Sequence, residues 1–185
     1  VIAQDDAGNT DDRDEIVYPL ATINVASLDH LLGHADYLFA SVDRPEISDL
    51  ISVGLARFQD LDGIDRTKPA GLMIFLSQGL VPIPNPVAYV PVSDMTKFSL
   101  TLESVGAQVK KDPDFDDMYE LTPPRGLTQY IALRNGYAFI GQSYDTVDQN
   151  FADPTTFGGA LGKRYDICVS ADLRNTPKHV RDLLV

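Results

Sequence analysis

The stretch AGLMIFLSQGLVPIPNPVAYVPVSDMTKFSLTLESVGAQVKK, residues 70–111, decides how the chain folds. Its first nine residues form a nearly continuous apolar run of strand length, as a strand covered on both faces requires. The prolines from Pro82 to Pro86 stiffen the connection that follows, and PVAYVPVS (86–93) reads as a second strand. Ser93 or Asp94 then offers an N-cap, and Met95, Phe98, Leu102 and Val105 recur at helical spacing behind it. A short strand over 107–111 closes the stretch.

Upstream, DLDGIDRTKP (60–69) is turn chemistry and IVYPLATINVA (16–26) is β-branched and partly alternating, a strand with Pro19 near its start. Ser27 caps a helix whose apolar residues are Leu28, Leu31, Leu32, Ala35, Leu38, Phe39 and Val42. Pro45 opens a second helix carrying Ile47, Leu50, Ile51, Leu55 and Phe58. Strand, helices, strand, strand, helix, strand is the ferredoxin-like βαββαβ order, so the expected class is α+β with helices against an antiparallel sheet.

Downstream, MYELT (118–122) and QYIALRNGYAFIGQS (129–143) extend that core. Asn135-Gly136 between two alternating runs specifies a two-residue hairpin turn. Asp145 is the expected cap of a short helix TVDQNF, ended at Asp153-Pro154, and FGGALGKR (157–164) reads as a flexible link. YDICVSADL (165–173) is a strand, and Thr176-Pro177 opens a helix with Val180, Leu183 and Leu184. The expected division is an acidic tail over 1–15, an α+β domain over 16–163 and a terminal strand-helix unit over 164–185. That last unit shares its build with INVASLDHLL (23–32), so two readings stand open: the opening of a second copy of the domain, or an edge strand and terminal helix on one sheet.

The strings GIDRTKPAGLMIFL, PVAYVPVSDMTKFSLTLESVG, MYELT, QYIALRNGYAFIGQS and GKRYDICVSADL, spread over residues 20–175, resemble a family of uncharacterised exported bacterial α+β proteins. The shared marks are the D-R-x-K-P-x-G turn at 65–71, the strand exit V-P-V-x-D at 90–94 and the glycine-led strand GYAFIGQS. These are turns and caps, so the resemblance implies an exported, often two-lobed protein and no catalytic residue.

Charge narrows the partners. The net charge is −12, and Asp5, Asp6, Asp11, Asp12, Asp14 and Glu15 stand against Arg13 alone in the first fifteen residues. Such a surface repels phosphate backbones and anionic membranes, which argues against nucleic acid as a partner. No apolar run approaches the roughly 20 residues of a spanning helix, so membrane insertion is not expected. The start VIAQ running into DDAGNTDD resembles the junction left by a removed signal peptide, which suggests a periplasmic, cell-envelope or extracellular location.

Chemical motifs are sparse. His30 and His34 lie four apart on the first helix, a metal-gripping spacing, yet both project away from its apolar side and bring no third ligand. Asp112, Asp114, Asp116 and Asp117 lack the spacing of a calcium loop and read as a solvated turn. Cys168, the single cysteine, lies within an apolar strand and reads as a small core residue. Nucleophile-elbow and phosphate-loop patterns are absent. No cofactor is expected. Tyr130, Tyr137 and Tyr144, in or near the hairpin, form a candidate aromatic strip for a partner or a sugar. The expected function is therefore a non-enzymatic structural or interaction module of an exported or cell-envelope protein, part of a homo-oligomer or of a larger assembly with a protein neighbour. The alternative is a small-molecule binder or enzyme, with His30, His34 and Tyr37, or the loop 62–68, as its nearest polar groups.

Overall fold

A computed structural model describes residues 16–41, 61–77 and 82–176, together with Val53 and Ala56. The acidic tail, nearly all of the second expected helix and the terminal helix from Pro177 lie outside the described residues. Eight strands form one sheet in which every ladder is antiparallel: β1 (Ala21–Val25), β2 (Ala70–Leu76), β3 (Pro84–Pro91), β4 (Gln108–Lys111), β5 (Met118–Thr122), β6 (Gln129–Arg134), β7 (Tyr137–Gly141) and β8 (Ile167–Ala171). Three helices are described, α1 (Leu28–Ser41), α2 (Met95–Ser104) and α3 (Tyr144–Val147), and the class is α+β.

The strand order is β4-β5-β6-β7-β3-β2-β1-β8. This order does not confirm the ferredoxin-like βαββαβ core. A split βαβ unit sets another strand between β1 and β2, whereas here they pair directly, with Ile23 opposite Leu72. The reason lies in β5–β7. That meander takes the open side of β3 through β7, where Tyr89 faces Phe139, and carries β4 to the far edge. At the opposite edge β8 pairs with β1, Val169 facing Ile23.

Because side chains alternate along each strand, the sheet builds two cores. On one face Met73, Val87, Tyr89, Met118, Ala132, Tyr137 and Phe139 gather with Val147 of α3, and Phe151 and Phe157 pack against them. The segment after β7 is thus the cover of that face. On the other face Ile131, Ala138 and Leu121 meet Phe98 of α2.

Local chemistry fixes these covers. Asp94 caps α2, accepting from the backbone N–H groups of Thr96 and Lys97. Gly63, at φ 85°, lies so close to that cap that a Cβ would stand 2.2 Å from the Phe98 nitrogen, so only glycine lets the 61–66 turn dock there. Thr101 then donates to the Asp62 carbonyl at 2.8 Å, pinning the same turn to the helix. Ser27 caps α1 as expected, accepting from His30 N–H. The short helix departs from expectation: Ser143 caps it, with Asp145 inside its first turn. Serine wins because its oxygen reaches the Thr146 N–H from the extended backbone that a cap requires. Asn135 and Gly136, at φ 52° and 75°, make the hairpin turn with both central residues left-handed.

The chain on either side of the covering segment is tied in as well. Val17 bridges Phe151, donating to the Asn150 carbonyl and accepting from Ala152 N–H. Within residues 157–164, expected as a link, Phe157 and Gly158 lie against the sheet: the Phe157 ring meets Tyr89 edge-on at 5.5 Å, and a Cβ on Gly158 would press 2.8 Å from the Asn24 amide nitrogen.

Candidate functional site

Two places carry features beyond packing, the sheet edge at β8 and a cavity beside the hairpin. At the first, β8 is the outermost strand among the described residues on its side of the sheet. Its sequence ICVSA holds no charge and no proline. Ile167 and Val169 are 53% and 66% exposed, and they share a face with half-exposed Ile23 of β1. Cys168 points the other way, buried, its sulfur 3.8 Å from the Asn24 amide. The strand is flanked by acids held within the chain: Asp166 binds His34 Nδ1 at 2.7 Å, and Asp172 takes the Arg174 guanidinium. That guanidinium holds the Asp172 carboxyl down at about 2.

The other edge is built differently. β4 reads QVKK, and its Lys111 reaches Asp116 at 2.9 Å. Lysines on a sheet edge deter strand addition, because an incoming strand must desolvate them. β8 has no such device.

The second place is a cavity of about 350 Å³ beside the β6–β7 turn. Its floor is aromatic: Phe139 and Phe151 stand 4.8 Å apart, and the ring of Tyr137 lies next to them. Arg134 forms one wall, held by Asp148, by Asp117 at 3.4 Å and by the Gln149 carbonyl at 3.1 Å. Lys68 is held by Asp65 at 3.1 Å, and the hydrogen bond from the Thr67 hydroxyl, followed by that from Lys68, keeps the Asp65 carboxyl below its ordinary range. The rim carries Asn135, Asn150 and Asp153. Asp153 accepts from Thr155 N–H with one carboxylate oxygen. Burial, followed by the charges of Asp153 and Asp65, pushes the Tyr137 hydroxyl up to about 12, and that hydroxyl has no hydrogen-bond partner among the described residues.

The residues singled out from sequence scatter. The candidate tyrosine strip does not form, because Tyr137 is 3% exposed and belongs to the core. Alternation along β7 forces this, since Tyr137 and Phe139 share the covered face. Tyr130 and Tyr144 lie with ring centroids 4.5 Å apart and planes tilted by 45°, half-buried, and the Tyr144 hydroxyl donates to Asp112. His30 and His34 face solvent, their rings 6.4 Å apart, and the neighbour of His34 is Asp166, not Asp36 or Tyr37. Among the described residues no three metal-ligating side chains converge. Of the four acids after β4, Asp116 pairs with Lys111, Asp112 accepts from Tyr144 and Asp117 pairs with Arg134. Sequence reading missed Arg134, whose only signal was a cation directly before the Asn-Gly turn.

Comparison of the chain with family models, with curated proteins and with solved structures returned no match.

Proposed function

We propose that this chain is a non-enzymatic interaction module of an exported or cell-envelope bacterial protein, and that it associates with a second copy of itself through the edge of β8. The observation that carries this reading is the contrast between the two sheet edges, lysine-bearing β4 and uncharged β8. In an antiparallel ladder half of an edge strand's N–H and C=O groups point outward, and those groups satisfy a like strand related by a two-fold axis. A copy of β8 is thus a complementary partner for β8. The exposed side chains of Ile167 and Val169 would meet their counterparts across the same axis and lose apolar surface to one another.

Export rests on the family resemblance of the turn and cap strings. A native-cell fractionation that finds the protein only with cytoplasmic markers counts against it. The interaction reading is tested by Val169→Lys, which places a charge in the centre of the exposed row. The expected result is a monomeric variant that unfolds as cooperatively as the parent, which associates. Unchanged association in this variant would remove β8 from the interface.

A further inference from the structure

The cavity beside the hairpin is separated from β8 by β3, β2 and β1, so it stands or falls independently of the edge. We infer that it binds a neutral polyhydroxylated small molecule of monosaccharide size, seated against the partly buried Phe151 ring and held by Asn135, Asn150 and Asp153. Its volume, about 350 Å³, lies at the small end of natural ligand sites.

The chemistry of the lining selects the class. Asn135 and Asn150 have side-chain amides with no hydrogen bond among the described residues, and each offers two donors and an acceptor. Asp153 spends one oxygen on the Thr155 N–H and keeps acceptor capacity on the other. A sugar hydroxyl both donates and accepts, so it matches amides and a carboxylate together. Its ring carries C–H faces that suit an aromatic floor.

Charged ligands fit less well. Lys68 and Arg134 are already engaged by Asp65, Asp117 and Asp148, and with Asp153 the four acids outnumber the two bases around the cavity, which repels anions. A cation finds one carboxylate in the lining, Asp153, which already accepts from Thr155 N–H. A neutral ligand needs no charge partner and still gains from the polar rim.

The test is a titration of the intact chain with glucose, galactose, mannose and N-acetylglucosamine by ligand-observed NMR, with inorganic phosphate and ethylammonium as contrasts. Asn150→Ala and Asn135→Gly are the variants. Both positions are exposed, and glycine keeps the left-handed backbone of residue 135. The expected result is saturable binding of at least one sugar, weakened about tenfold in each variant, with neither contrast ion competing. Absence of saturation by all four sugars would overturn the inference. So would equal affinity in both variants, or displacement of the sugar by phosphate or ethylammonium.

Discussion

Two buried tyrosines show how much a single hydroxyl's partner matters. Tyr89 donates to the Asn24 side-chain oxygen at 2.7 Å, whereas the Tyr137 hydroxyl finds no partner among the described residues. Tyr89→Phe therefore leaves the Asn24 oxygen buried and short of a donor, and we expect a loss of about 1–3 kcal/mol in denaturant unfolding. Tyr137→Phe removes a group that gains nothing from its site, so its stability should match or exceed the parent's. A loss equal to that of Tyr89→Phe would mean that the Tyr137 hydroxyl is bonded after all. Alkaline pH gives a second reading. The folded Tyr137 ionises near 12 against an ordinary 10.0, so the unfolded chain releases this proton first. Stability held below pH 10 is lost as the pH rises toward 12, and Tyr137→Phe should flatten that decline in a melting series.

At the scale of elements, caps and turns were legible in the sequence because each is a local event. Ser27, Asp94 and Asn135-Gly136 act within three residues of themselves, and all three act in the fold as their types demand. Asp94→Ala should cost about 1 kcal/mol, since two N–H groups at the start of α2 lose their acceptor, and urea unfolding measures it directly. The short helix was misread because Ser143 and Asp145 are both capping types, and only the extended backbone at 143 selects between them. Tyr137 was misread for a related reason: alternation says that it shares a face with Phe139, but not which face is covered. The cavity was invisible, because its floor and rim come from β7 and from the segment around Asn150–Thr155, which the sequence places close but does not fold together.

At the scale of the molecule the sheet order was the hidden quantity. Periodicity announces a strand without naming its neighbour, so a βαββαβ succession was compatible with more than one sheet. The pairing of β3 with β7 set the order, and with it which two strands became edges. Only then does the contrast between Lys110-Lys111 in β4 and ICVSA in β8 acquire meaning. A chain of net charge −12 repels its copies, so association through β8 should tighten as salt is added, until screening is complete. The most direct measurement is the absolute mass of the intact chain by light scattering over a concentration series, at low and moderate salt, beside Val169→Lys. The expected result is a monomer–dimer equilibrium that salt favours and that Val169→Lys abolishes. A parent chain that remains monomeric throughout, or a variant that dimerises like the parent, would contradict it.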